Sequence, residues 1–431
     1  MNTLYQFWQN LKLLNRWQTG ILLFFLAFVV RLTLIVAFHP YRDLARYELE
    51  RTAISLATTG VFGNPYAIPT GPTAHVSPGY TIILAALFRL LSTGIPAEIV
   101  KELLASAVTA LQCALLPAVA ENLSLDRRAG ILVGLFCALI PLKPLVQIDG
   151  DWETPYTALF IMATLVLAVQ TWKGCKLTIS FAVLNGIVWG LALLFASVLL
   201  PIFAFFLLAG AYFCRNAGYK RYLAFAAVQI SLVALCLLPW VIRNNHTLGA
   251  PIATRSNFGL ELRVSNNNEA TPDQRVNYLL GVYNLYHPLQ NEKEALKVKQ
   301  LGEVAYNQDA AKVAKNWIST HIRQFVYLCI GRIRCFWLYP DPSLIKALFG
   351  DLTAILGLTG FFAILRKNLI SGVAIGIVLL LYPAPNYLIH VGARQRYPID
   401  WLLTTLSVVP LIQIWKLFGV RQRSTKSGVV A

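Results

Sequence analysis

The chain has 431 residues, 57% of them hydrophobic and only 13% charged, with a mean hydropathy of +0.58. A soluble domain carries about 25% charged and about 45–50% apolar residues, so a soluble enzyme, a disordered chain and a fibre are excluded. The formal charge of +17 then belongs to cytoplasmic Lys/Arg clusters and anionic lipid headgroups, with no nucleic acid as partner.

The apolar residues come in long blocks rather than in alternation. That excludes a membrane β-barrel and predicts an all-α polytopic membrane protein. A span needs roughly 20 apolar residues. Ten are predicted: 19–38, 98–120, 129–148, 154–171, 176–197, 199–214, 221–241, 344–365, 369–388 and 399–416. The first lacks the small-residue cleavage site of a removable signal. Most of the seven cysteines sit in apolar runs and none forms a CxxC, so they read as small buried hydrophobes.

With the N-terminus inside, every inner loop is basic. Lys12 and Arg16 begin the series, followed by Arg127/Arg128, Lys173/Lys176, Arg215/Lys220/Arg221, Arg366/Lys367 and the tail from Lys416 to Lys426. The positive-inside rule then puts both termini in the cytoplasm. The chain divides into an N-terminal module (1–241) with a first outer loop (39–97), a large outer loop (242–342), and C-terminal spans with a basic tail (343–431). Within the first loop, Asp43–Thr59 reads as an amphipathic helix. Pro78–Leu91 is apolar but too short to span, as in an interfacial helix. In the large loop, Ala310–Trp337 reads as a further amphipathic helix.

Three outer clusters carry chemistry. The first is Tyr47-Glu48-Leu49-Glu50-Arg51, with Asp43 one turn earlier. An acid beside apolar groups at a membrane surface acquires the raised pKa of a general base. Glu48 and Arg51 are also spaced to pair, and a solvated helix face is the plainer reading. The second is Asp149-Gly-Asp-Trp-Glu153. Its Asp151 and Glu153 can offer oxygen ligands to a divalent metal or orient a substrate hydroxyl. The third comprises Arg243, the stretch Arg255 to Glu261, and Arg394-Gln-Arg396-Tyr397. Arginine can grip a phosphate bidentately or merely snorkel at the interface. The histidines show no ligand spacing, and His75 stands out for lying between the two loop helices. The ionisable content inside the bilayer is low, with Arg31 in the first span and Lys143 near the outer end of the third. An ion or proton pathway wants several acids or histidines there, so the chemistry is expected at the outer interface.

Several stretches resemble the GT-C superfamily of membrane glycosyltransferases, in the branch of the protein O-mannosyltransferases and lipid A aminoarabinose transferases. They are YELERTAISLATTGVFGNPY, TGPTAHVSPGYTIILAALFRL, DWETPYTALF, LPWVIRN, RSNFGLELRVSNN, HPLQNEKEA, LGEVAYNQDAAKVAKNWI, RIRCFWL and RQRYPID, in this order. The resemblance implies a GT-C fold of about ten spans with interfacial helices. It also implies an inverting transferase in a bacterial inner membrane. Its donor is a polyprenyl-phosphate-linked monosaccharide, and its acceptor is an extracytoplasmic glycan, lipid or protein. Glu48 takes the position of the catalytic base and Glu153 that of the second acid. Many relatives carry Asp where this chain reads Arg46-Tyr47-Glu48, so Asp43 is a rival base. A divalent metal, Mg or Mn, is implied in some members. Arg243, Arg394 and Arg396 are candidates for the donor phosphate, and Tyr47, His75, Tyr397 and Glu261 for the substrate pocket. Relatives often have a doubled proline where this chain reads His75-Val76-Ser77. The alternative is a transporter or flippase of lipid-linked sugars, though no internal repeat is visible.

Overall fold

The computed structural model describes residues 15–42, 46–140, 150–338 and 343–427, with the backbone alone at 393 and 415–427. Among them all regular secondary structure is helical, apart from two isolated bridges. The elements are α1 (Arg16–Phe38), α2 (Glu48–Thr59), α3 (Pro78–Leu91), α4 (Ile95–Asn122), α5 (Arg127–Leu139), α6 (Thr154–Gly174), α7 (Ile179–Phe195), α8 (Leu200–Phe213) and α9 (Tyr219–Leu248). The large loop adds α10 (Phe258–Ser265), α11 (Gln274–Leu279), α12 (Val282–Tyr286), α13 (Glu292–Leu301), α14 (Glu303–Thr320) and α15 (Ile322–Trp337). The last helices are α16 (Leu344–Lys367), α17 (Leu369–Leu381), α18 (Ala384–Leu388) and α19 (Ala393–Ser427).

Seven helical stretches are long and apolar enough to cross a membrane: α1, α4, α6, α9, α16, the α17–α18 stretch, and 394–414 of α19. Helices α3, α7 and α8 are apolar but shorter. This is a multi-pass membrane protein. One side of α1 exposes Ile21, Leu22, Phe25, Val29, Leu32 and Val36, as a lipid-facing surface requires. One core cluster joins the two ends of the chain, with Ile161, Leu165 and Trp189 meeting Ile375, Leu402 and Leu406. Helices α16 and α19 approach so closely that a Cβ on Gly360 would lie 2.0 Å from the Leu406 carbonyl oxygen. Small residues at such crossings let membrane helices pack by backbone contact.

The first-loop helices rest on the bundle end. Leu49, Ala53, Leu84 and Phe88 of α2 and α3 share a cluster with Phe195 of α7 and Trp240 of α9. A second layer joins Tyr66 to Leu260, Val264, Val298 and Tyr306 of the large loop.

The expected helix over Asp43–Thr59 is described from Glu48, and Asp43 itself lies outside the described residues, as do Lys143 and Asp149. The third predicted span is described only as α5 and Ile140. The expected helix over Ala310–Trp337 is two helices. The backbone breaks at His321, where φ is −126° and ψ is 42°, and the Thr320 hydroxyl competes there for the Asn316 and Trp317 carbonyls. Helix α9 runs seven residues past its expected end at 241, to Leu248. The chain then folds back. Gly249 caps it at φ +70°, the Asn244 side chain donates to the Ile252 carbonyl, and Trp240 Nε1 donates to the Thr254 carbonyl. Arg243 is therefore helical rather than part of a loop.

Candidate functional site

Glu48 opens α2, where a carboxylate is favoured by the helix dipole. Two residues on, Glu50 points inward and is fully buried. There Lys101 of α4 donates to Glu50 Oε1 at 2.6 Å and to Asp151 Oδ1 at 2.5 Å, and lies 2.6 Å from Glu98 Oε2. Arg46 pairs with Glu98 and lies 3.6 Å from Glu50. Burial pushes the Glu50 carboxyl up to about 7, against the pull of Lys101. The Glu102 carboxylate accepts the Gly150 amide at 3.1 Å, and the Tyr80 hydroxyl donates to the Gly150 carbonyl. The charge cluster thus fastens α2 and the 150–153 turn to the same face of α4.

The loop between α2 and α3 carries His75. The loop is pinched, since a Cβ on Gly63 would lie 2.4 Å from the Gly71 carbonyl oxygen. Buried Glu303 of α14 accepts the Ala74 amide at 2.7 Å and the Thr73 hydroxyl, and Arg255 donates to the His75 carbonyl at 2.9 Å. The Tyr66 hydroxyl lies 2.9 Å from His75 Nδ1. Burial, reinforced by Arg255, takes the His75 imidazole down to about 3, so it is neutral near pH 7.

His287, just after α12, brings Nε2 to 3.5 Å from Glu48 Oε1. Donor atoms of Glu48, His75 and His287 all lie within 4.8 Å of one another. A carboxylate with two imidazoles suits Zn²⁺ or Mn²⁺ better than Mg²⁺, which prefers oxygen and its own waters. The Leu289 amide donates to His287 Nδ1 at 3.2 Å. The neutral ring therefore carries its proton on Nε2, facing Glu48. A cation held by Glu48, His75 and His287 would require a ring nitrogen of His287 free of its proton.

Two cavities meet here. One, of about 470 Å³, is lined by Tyr47, Glu48, His75, Trp152, Tyr283 and His287 among others. The other, of about 460 Å³, runs from Glu153 along Val198, Leu200, Pro201, Phe258 and Ile389. Arg255, Glu261, His390 and Arg394 line both. The Arg394 guanidinium sits 3.5 Å over the Trp152 ring, Tyr47 packs on Trp152 with ring centroids 5.2 Å apart, and Arg255 lies 3.8 Å from Glu153. Glu261 Oε2 is 3.4 Å from His390 Nδ1. Burial takes His390 down to about 4, although Glu261 opposes this. Burial works against ionisation of Glu261 as well, yet His390, His287, His75 and Arg255 together hold it at about 2. With His75 and His390 uncharged near neutrality, Arg255 is the fixed cation among them.

The structure thus gathers Tyr47, Glu48, His75, Glu153, Glu261 and Arg394. It places the other expected residues elsewhere. Arg243 lines neither of these cavities, and its donors go to the carbonyls of Thr73 (2.6 Å) and Phe62 (2.5 Å) and to Asn244 Oδ1 (2.8 Å). Arg396 is buried in α19, donating to Asp400, the Trp337 carbonyl and the Gly350 carbonyl. Tyr397 lines neither cavity. Asp151 faces Lys101 rather than sharing a ligand set with Glu153. Arg51 reaches the carbonyls of Arg46 and Tyr66. Sequence reasoning missed His287 and His390, which have no local signature. Arg255 stood in the same quoted stretch as Glu261 and was the better signal for an anion.

No protein-family profile matches the chain, and no curated protein sequence matches it. Solved structures do match. The apo oligosaccharyltransferase of Archaeoglobus fulgidus superposes with a TM-score of 0.53 at 12% identity, over 96% of this chain and 52% of that one. Its complex with Zn and sulfate gives 0.50 at 15%, over 89% and 46%. The fold is of the GT-C type. The oligosaccharyltransferase AglB from the same organism, in complex with an inhibitory peptide and a dolichol-phosphate, gives 0.47 at 14%, over 91% and 48%. This chain spans about half the length of these enzymes, and at such identities the likeness is one of fold.

Proposed function

We propose that the protein is an inverting GT-C glycosyltransferase, in the branch of the protein O-mannosyltransferases and aminoarabinose transferases. It moves a monosaccharide from a polyprenyl-phosphate carrier to an acceptor outside the cytoplasm. The observation that supports this best is the junction of the two cavities. One side offers a carboxylate, Glu48; the other offers an apolar wall from α7 to α8; two arginines stand between. A polyprenyl chain fits the apolar wall, with its phosphate against Arg255 and Arg394, whose forked donors match phosphate oxygens. The anomeric carbon then faces the first cavity. There Glu48 takes the proton of the acceptor hydroxyl or amine as that group attacks. The phosphate leaves on the opposite side, and its growing charge is met by the arginines. One displacement inverts the centre. The basic inner loops support our reading that the site lies on the extracytoplasmic face, in a bacterial inner membrane.

The test is transfer by purified protein in nanodiscs, offered a panel of polyprenyl-phosphate sugars, with product anomers read by NMR. Charged hydrogen bonds are worth about 1.5–3 kcal/mol. Arg255→Ala and Arg394→Ala should therefore weaken donor binding by roughly 10–150-fold. Arg243→Ala should leave donor binding intact and cost about 1–3 kcal/mol of stability, because buried carbonyls lose their donors. The reverse pattern would misplace the phosphate. No transfer, with carrier still crossing proteoliposomes, would favour the flippase.

A cation that tolerates nitrogen ligands is proposed on Glu48, His75 and His287, where it would supply positive charge on the acceptor side and favour loss of the attacking group's proton. Glu48 keeps a second oxygen for the acceptor proton. Exhaustive chelation is expected to abolish transfer, and Zn²⁺ or Mn²⁺ to restore it. Full turnover by enzyme shown metal-free by elemental analysis would leave Glu48 and His287 as a metal-independent pair.

A further inference from the structure

We propose that the cavity on the Glu48 side is built for a carbohydrate acceptor of one or two sugar rings, rather than for a peptide or a lipid tail. The inference rests on the transferase reading for its use and on independent observations for its chemistry. The first is size. A volume of about 470 Å³ is that of a small-molecule site, and an extended peptide needs a groove. Peptide capture by strand addition also needs a sheet edge, and the described residues hold only the isolated bridges Gly63–Pro72 and Asp273–Val391.

The second observation is the kind of surface. Tyr278 stands at the wall of this cavity, 58% exposed, its ring centroid 6.0 Å from that of half-buried Tyr283. Tyrosine offers an apolar ring face to sugar C–H groups while its hydroxyl stays in water. The third is a set of fixed amides. Gln274 donates to the Tyr283 hydroxyl at 3.0 Å and accepts from Gln395 at 3.2 Å, which locks its orientation. Gln290 lines the same cavity, and its Oε1 is buried with no hydrogen-bond partner. An acceptor that the fold leaves without a partner is costly, and a turn of the Gln290 side chain toward the cavity would let a ligand donor complete it. A polyhydroxylated ring brings donors in several directions, and a lipid tail brings none.

The experiment is binding without donor, by saturation-transfer NMR on the full chain in nanodiscs. The probes are methyl glycosides of common hexoses and pentoses with their disaccharides, a serine/threonine-containing hexapeptide, and a monoacylglycerol. At least one glycoside should bind saturably through its ring protons. Tyr278→Ala should weaken it about tenfold, Tyr278→Phe should not, and Gln290→Leu should weaken it several-fold. No glycoside binding, binding of the peptide or lipid alone, or equal glycoside affinity in Tyr278→Ala would each overturn the proposal. Glycoside binding in a protein that transfers from no donor would sink the transferase reading and leave the carbohydrate site standing.

Discussion

Glu48→Gln is expected to lower transfer by about 10²–10⁴-fold, the usual worth of a positioned general base. Gln keeps the size and the helix position but cannot take a proton. Its loss of charge at the start of α2 costs only about 0.3–1 kcal/mol, so thermal stability should stay near that of the wild type. The His287 Nε2–H facing Glu48 Oε1 at 3.5 Å can still meet the amide oxygen, which preserves the local geometry. Metal content separates the two jobs proposed for this residue. A variant that retains metal but not transfer identifies the base. Loss of both identifies a ligand, with His75→Ala expected to follow it. Unchanged turnover would remove Glu48 from the reaction, and Asp43→Asn would be the next variant to assay.

What was legible beforehand follows from what a single chain encodes locally. Long apolar blocks report helices in lipid, because each helix satisfies its own backbone hydrogen bonds. The short apolar run Pro78–Leu91 matched its helix to the residue, since proline at its start and a polar stretch after it bound it on both sides. Glu48 was singled out by the family resemblance, since an acid on an amphipathic loop helix reads by itself as a solvated face, and the structure puts it at the wall of a cavity. His287 and His390 were not legible. They reach the site through α12 and the turn before α19, and only the packing of the large loop on the bundle brings them to Glu48 and Glu261. The surroundings of Arg243 and Arg396 were not legible for a related reason. An arginine near an interface looks the same in sequence whether it faces a ligand or a backbone carbonyl, and here both spend their donors on carbonyls.

The same blindness hid Lys101, which stands between Glu98 and Glu102 in the first two turns of α4, where three charges read as an ordinary helix end. Lys101→Met is expected to be the most damaging single change in the protein. Its ammonium is buried with Glu50, Glu98 and Asp151 around it, and Arg46 is the second cation of the cluster. Taking away one partner of a buried pair leaves an uncompensated charge and costs about 3–5 kcal/mol, a large share of a typical stability of about 5–15 kcal/mol. Methionine fills the volume, so the loss measures charge rather than a cavity. Transfer should fall with it, because Glu48 lies two residues from Glu50, while Trp152 and Glu153 directly follow Asp151. Without the lysine, the base and the wall that carries Arg394 lose their common anchor. The double variant Lys101→Met/Glu50→Gln should recover part of the stability, since it removes one of the stranded carboxylates, and contacting pairs couple by about 0.5–3 kcal/mol. If Lys101→Met instead melts and turns over like the wild type, the cluster holds neither α2 nor the 150–153 turn. Transfer would then depend on the loop contacts of Glu303 and Arg255 for the placement of these residues.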